Sequence, residues 1–227
     1  MRSIFLSLWL GCVPPLLAQT PVPCVFCQIV RGELEVSEVF RNEQVMAFMD
    51  HRPVNPGHVL VIPVEHGENL LEVSEETARE MMALARKTGA AYQRTDLKAE
   101  AFQLHMNNGR LVQHVKHAHL HVWPRFAGDF PGDAAVRLAS QREMVERAEL
   151  NMTAQKLKAA LDLGEIYSGF YEEGLKLNPW EATMAGDHRY DDLFPNTLSE
   201  EYRAEAREYY QRYLGRLQSF DRASLPA

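Results

Sequence analysis

The run His117-Ala118-His119-Leu120-His121-Val122-Trp123 constrains this chain more than any other stretch. Successive side chains of a β-strand point to opposite sides, so a strand here sets His117, His119 and His121 in one row, about 6–7 Å apart. Ala118, Leu120 and Val122 then face the other way and can bury. That is a half-buried strand with imidazoles along its open side. Four of the nine histidines fall between His114 and His121, so the row is a local concentration. Imidazoles at this spacing can bind a metal. They can supply a nucleophile together with a group that fixes its tautomer, or simply line a solvated strand. Spacing alone leaves all three open.

The flanking sequence supplies a sheet and helices for such a strand. EVSEVFRN (35–42) and QVMAFMD (44–50) alternate well enough for two strands joined by a short Asn-Glu turn. GHVLVIP (57–63) is a β-branched run between Pro-Gly and Pro, as in a buried strand. Ser74 can cap a helix whose first turn carries Glu75 and Glu76. Ala78, Met81, Met82, Ala85 and Thr88 have the spacing of its buried face. AFQLHMNN (101–108) reads as a further strand, turning at Asn108-Gly109, and a second helix is expected over Ala134 to Leu163. Strands with segregated helices point to α+β with an antiparallel sheet.

Two ends of the chain read differently. Met1 to Ala18 has Arg2, an apolar run from Ile4 to Leu10, a Pro-Pro break and a small residue before Gln19. That is the layout of a secretory signal peptide, which implies export to the periplasm or exterior; lipid attachment at Cys12 is a secondary variant. All three cysteines and eight of nine histidines precede residue 165, whereas seven of eight tyrosines follow it. The shift divides a module over 22–163 from a small helical segment over 164–227. In the latter, Pro179 opens a helix and Ser199, with Glu200 and Glu201 behind it, caps another. A formal net charge of −7 argues against non-specific binding to nucleic acid or an anionic membrane. A small phosphorylated ligand held by local donors remains compatible with it.

PGHVLVIPVEH (56–66), NNGRLVQ (107–113), HAHLHVW (117–123) and Pro124-Arg125 stand in an order that resembles the histidine-triad (HIT) family of nucleotide hydrolases and transferases. The likeness covers 24 to about 125 and, for bacterial members, runs on through the helix ending near Leu163. It implies an α+β fold with a HIT-like antiparallel sheet, and a catalytic His119 that attacks the α-phosphorus of a nucleotide and carries the nucleotidyl group. His117 and His121 would orient it and contact phosphate, with Asn107 and Gln113 donating to the phosphate. Asp50 would accept from the ribose hydroxyls, and Phe26, Ile29 and Phe48 would wall the base. No cofactor is needed for that chemistry. The resemblance further implies a homodimer, and a structural zinc on Cys24, Cys27, His66 and His117. A Cys24–Cys27 disulfide is the alternative in an oxidising compartment. Pro124-Arg125 inclines the reading toward a hydrolase of dinucleoside polyphosphates, of the diadenosine tetraphosphate type, over a phosphoramidase.

This chain departs from the family pattern where Leu111-Val112-Gln113 replaces a small-Gly-Gln triplet and His114 replaces a small hydroxylic residue. A β-branched residue where backbone approaches phosphate puts leaving-group recognition in doubt. A non-catalytic nucleotide- or metal-binding module, and a metal-dependent hydrolase with the triad as ligands, are therefore alternatives. Residues from about 165 resemble the opening helices of a secreted family related to zinc metallopeptidases. No H-E-x-x-H is present, so no peptidase activity follows. GDHRYDD (186–192) reads as a polar turn between helices.

Overall fold

The computed structural model describes residues 24–129 and 142–220. The segment 1–18 expected as an export signal, Cys12, and positions 134–141 of the expected second helix lie outside the described residues. Ten elements follow in order: α1 (Val25–Val30), β1 (Glu38–Arg41), β2 (Val45–Met49), β3 (Val59–Pro63), α2 (Glu75–Tyr92), β4 (Ala101–Met106), β5 (Leu120–Arg125), α3 (Arg147–Leu177), α4 (Pro179–Met184) and α5 (Glu200–Gln218).

The five strands form one antiparallel sheet in the order β1-β2-β3-β5-β4. Asn42 shapes the β1–β2 turn by accepting from the backbone amides of Gln44 and Val45 at 2.9 and 2.8 Å, an Asx turn of the kind asparagine favours. β2 and β3 are buried along their whole length because both faces of the sheet are covered. On one face Val45, Ala47, Val59, Val61, Leu120 and Val122 pack against α2 and α3. On the other, Met46, Phe48, Leu60 and Ile62 pack against Phe26 and Ile29 of α1.

Ser74 caps α2 as expected, its hydroxyl accepting from the Thr77 amide at 3.1 Å. The buried face of α2 is Met81, Leu84, Ala85, Thr88, Gly89, Ala91 and Tyr92. Met82 leaves the expected set: it is 52% exposed, because the stripe runs through 81, 84, 85 and 88. Gly89 lies under the Phe102 ring, where an added Cβ would sit 2.6 Å from a ring carbon.

The second helix differs most from expectation. It begins at Arg147 and runs unbroken to Leu177, straight through the expected boundary at Leu163. Apolar side chains continue on both sides of that point: Leu157 and Leu161 bury in the main core, and Ile166 and Leu177 bury with Tyr209 and Tyr213 of α5. Gly169 and Gly174 permit this packing, since a Cβ at either would meet a tyrosine hydroxyl at 2.7 Å. α4 opens at Pro179 and α5 is capped by Ser199, as read from sequence. The turn between them is polar: Asp191 accepts from Thr183 at 2.6 Å and faces His188 at 2.8 Å, while Arg189 pairs with Asp187 and Glu172.

Candidate active site

The α1 face of the sheet holds a cavity of about 520 Å³. Phe26 and Ile29 from α1, Phe48 from β2 and Leu60 from β3 give it an apolar wall, and Asp50, Asn107, His119 and His121 give it polar groups. A mostly apolar recess with a few converging polar groups is what a small-molecule site requires. Pleating explains the placement. In β5, Leu120 and Val122 enter the helix-covered core, so His121, between them, faces the cavity. His105 pairs with His121 across β4 and β5 and lines the cavity too.

β5 begins only at Leu120, so the expected histidine strand is shorter than the row of histidines. His117 and His119 precede it, and their backbone is used for side-chain control. The Nδ1 of His119 donates to the His117 carbonyl at 2.7 Å. A neutral imidazole with its proton on Nδ1 keeps Nε2 as a lone pair. Burial holds the His119 pKa below the ordinary imidazole range, against the raising effect of that hydrogen bond and of Asp50. At neutral pH His119 is therefore an uncharged base in the cavity with its tautomer fixed.

His121 is tied to a residue that sequence reasoning overlooked. Its Nδ1 lies 2.9 Å from Nε2 of His58, which is fully buried, and the Trp123 indole nitrogen donates to that same Nε2 at 2.8 Å. An indole N–H can only donate, so His58 Nε2 accepts, His121 carries its proton on Nδ1, and the His121 Nε2 is left as the acceptor. The proton of His58 is then on Nδ1, 3.3 Å from Asp50 Oδ2. The Val54 amide approaches that nitrogen at 3.2 Å, and the part-buried carboxylate favours the tautomer that gives it a donor. Burial, followed by His119, pushes His121 down to about 3; burial likewise drives His58 well down and raises Asp50.

Of the other expected site residues, Phe26, Ile29, Phe48, Asp50 and Asn107 all line the cavity. Asp50 accepts from the Arg52 amide at 2.8 Å. Asn107 Oδ1 faces His105 Nε2 at 3.1 Å, which turns the amide NH2 outward as the group an anion would meet. Two residues depart from expectation. Gln113 gives its amide to the carbonyls of Glu68, Val115 and His117, and its oxygen accepts from the Gly109 amide. It braces the 109–117 loop and is not among the cavity residues. His117 stands with Cys24, Cys27 and His66 as its expected metal role requires, but it does not face the phosphate site: its Nε2 donates to the Pro63 carbonyl at 3.0 Å, and Nδ1 points into that cluster. Arg125 lies outside the cavity, paired with Asp129 at 3.2 Å.

The cavity has further members with little local signal: His51, His105, His114, Trp123, Arg142 and Arg147. His58 could have been noticed, standing between Pro56-Gly57 and a buried strand. Arg142 and Arg147 could not, because they arrive from the segment leading into α3. Arg142 and Arg52 exchange guanidinium-to-carbonyl bonds at 3.0 and 3.2 Å, and Arg147 donates to Ser37 and the Glu35 carbonyl.

On the far side of Phe26, donor atoms of Cys24, Cys27, His66 and His117 all lie within 4.8 Å of one another. Both thiols are free. Bonds of about 2.0–2.1 Å to nitrogen and about 2.3 Å to sulfur give a tetrahedron with edges of about 3.3 Å (N···N) and about 3.6 Å (N···S). The His66–His117 separation is 3.3 Å, and the sulfur–nitrogen separations are 3.3, 3.4 and 3.6 Å. The donor set and its spacing fit a tetrahedral metal. Pro63 supplies the outer hydrogen bond that leaves His117 Nδ1 bare for it. The triad imidazoles do not converge on one ion: among the described residues His117 belongs to this cluster and His121 to one with Asp50 and His58. In that second cluster the 2.9 Å His58–His121 separation is a hydrogen bond, shorter than a ligand–ligand edge.

Comparison with known proteins gives one consistent result. The HIT domain model matches residues 31–128. An uncharacterized HIT-like protein of Methanocaldococcus jannaschii is 36% identical over 107 residues, 47% of this chain and 81% of its own length. An adenosine 5'-monophosphoramidase of Schizosaccharomyces pombe is 34% identical over 103 residues, 45% of this chain and 74% of its own. The crystal structure of a Zn-bound histidine triad family protein from Mycobacterium smegmatis superposes with a TM-score of 0.54 at 32% identity, covering 63% of this chain and 96% of that one.

Proposed function

The chain belongs to the HIT family, and from that premise we propose that it is a nucleotidyl hydrolase working through a nucleotidyl-histidine intermediate. His119 Nε2 attacks the α-phosphorus, forming a P–N bond as the bond to the leaving oxygen breaks. Water then cleaves the P–N bond and releases a nucleoside monophosphate. The observation that carries this reading is the 2.7 Å bond from His119 Nδ1 to the His117 carbonyl. It presents an uncharged Nε2 without prior loss of a proton.

The surrounding groups have matching roles. The Asn107 amide meets the phosphate oxygens, where a fixed donor is most effective, and His105 and His121 line the cavity beside it. Asp50 accepts from the ribose, and Phe26, Ile29 and Phe48 hold the base. The substrate class is dinucleoside polyphosphates or related nucleotide conjugates. Phosphoramidates are the competing substrate, favoured by the relative in Schizosaccharomyces pombe and by the position of Arg125 outside the cavity. Cys24, Cys27, His66 and His117 would hold a structural zinc, which supplies cross-linking of the fold and no chemistry at phosphorus.

We extend the proposal to a homodimer and to export. Met82 and Phe102, 52% and 41% exposed, form with Leu104 an apolar surface between Arg79 and Arg86, on α2 and the edge strand β4. Phe102→Glu is expected to shift the protein to monomer in sedimentation. Export rests on residues 1–18, and fractionation of cells expressing the full chain tests it.

The catalytic proposal is tested by His119→Asn. The variant is expected to fold and to turn over neither diadenosine tetraphosphate nor adenosine 5'-phosphoramidate. Rapid quench of the wild-type protein with labelled substrate is expected to trap nucleotide on His119. Turnover by the variant near the wild-type rate would refute the mechanism.

A further inference from the structure

The pocket and the cysteine–histidine cluster are separated by a single aromatic ring. Phe26 lies edge-on to His117 at 5.7 Å and to His119 at 5.4 Å, and edge-on to Phe48 at 5.7 Å. One side chain thus touches a metal-cluster residue, the nucleophile and the apolar wall together. In sequence it stands between Cys24, the N-cap residue before α1, and Cys27 within it.

α1 has six residues and no side-chain cap at its start, far too short to hold its own shape in water. Phe26 and Ile29 pack on Met46, Phe48, Leu60 and Ile62, and Arg41 donates to the Val30 carbonyl at 2.7 Å. Val30, Val36, Val64 and Val115 pack at the edge of the same cluster, and the thiols of Cys24 and Cys27 lie against His66 and His117. Sulfur–imidazole hydrogen bonds are weak, whereas ligation by a metal makes the same four groups a cross-link between α1, the loop after β3 and the segment leading into β5. His117 belongs to both sides of the arrangement. Its Nδ1 joins the cluster, its Nε2 is pinned on Pro63, and its carbonyl receives the His119 proton.

We propose that this metal centre positions the nucleotide site: a bound zinc ion clamps α1, so that Phe26 is held as the wall of the pocket and His117 keeps its carbonyl on His119. Metal occupancy then sets nucleotide affinity as well as stability. The inference rests on the nucleotide reading above and goes beyond a purely structural role for the ion. The four cluster residues are positioning residues, acting through Phe26 and His119.

Reciprocity makes the coupling measurable without turnover. If zinc raises the affinity for a nucleotide by some factor, the nucleotide raises the affinity for zinc by the same factor. The probe is AMP. Calorimetry on the full chain, zinc-loaded and chelator-treated, is expected to give AMP binding about tenfold tighter with zinc, within the range usual for coupled sites. Chelator competition is expected to show zinc held tighter by the same factor at saturating AMP. In Phe26→Ala, which keeps all four ligands, that factor is expected to fall below about twofold.

Equal AMP affinity with and without zinc overturns the inference, as does a protein that takes up no zinc. Should the metal-free protein unfold, the comparison is made by zinc competition alone. A Phe26→Ala variant with the full wild-type coupling then overturns it, because stabilisation of the folded state by AMP would not need that ring. AMP that fails to bind even the zinc-loaded protein overturns both the inference and the nucleotide reading. AMP that binds equally well in both states overturns only the inference.

Discussion

Acid should unfold this protein through its buried histidines, and His121 permits the size of the effect to be worked out. An exposed imidazole titrates near 6.5, and burial holds His121 down at about 3. Between those values the unfolded chain binds a proton that the folded chain refuses, so stability falls as pH falls below 6.5. At about 1.4 kcal/mol per pH unit per proton, going from pH 7 to pH 5 removes about 2 kcal/mol through this one ring. His58, His117 and His119 are displaced in the same direction, all chiefly by burial, and steepen the loss. Asp50 is raised by burial, so its protonation on acidification favours the folded state and offsets part of it. The assay is urea unfolding at half-unit intervals between pH 5 and pH 7.5, for wild type and His121→Asn. Whatever the starting stability of the variant, its loss between pH 7 and pH 5 is expected to be smaller by about 2 kcal/mol. Identical pH dependence in the two proteins would refute the assignment of a neutral, buried His121.

The same logic applied to His119 sets the acid limb of turnover. The active form is neutral and its pKa is depressed, so kcat/KM should hold through the ordinary imidazole range and fall only as pH drops through the depressed value; a limb centred at or above 6.5 would argue against it. Gly89→Ala drives a methyl into the Phe102 ring and is expected to cost about 1–3 kcal/mol in denaturant unfolding. Tyr209→Ala empties the contact between α5 and Gly174. It should destabilise the C-terminal helices by about 3 kcal/mol while turnover stays within about twofold, a factor worth only a few tenths of a kcal/mol.

What could be read from sequence is what short-range pattern encodes. β-Branched runs and turn residues located the strands, and serines followed by glutamates located the starts of α2 and α5. The site residues carried by contiguous motifs, from Phe26 through Asp50 to His119, reach the cavity because pleating and the α1 turn fix their direction. The misplacements have a common cause in long-range partners. Gln113 was free on paper to meet phosphate, yet the carbonyls of Glu68, Val115 and His117 take up its amide. His117 joins His66 as expected of a metal ligand, but the Pro63 carbonyl takes its Nε2, so it does not share the phosphate site with His119. The importance of His58 depends on Trp123, which only sheet pairing brings near. The boundary at Leu163 followed a change in composition, and a helix can cross such a change when apolar residues keep their spacing through it.

α3 begins with a cavity residue, Arg147, and ends at Leu177 against the C-terminal helices. At 1.5 Å per residue its 31 residues make a rod about 46 Å long. A stiff rod does not absorb rotation at one end. A tilt of 3° about its first turn would sweep the far end through about 2.4 Å on that length, so any change of angle beside the pocket is magnified at the tyrosine-rich tail.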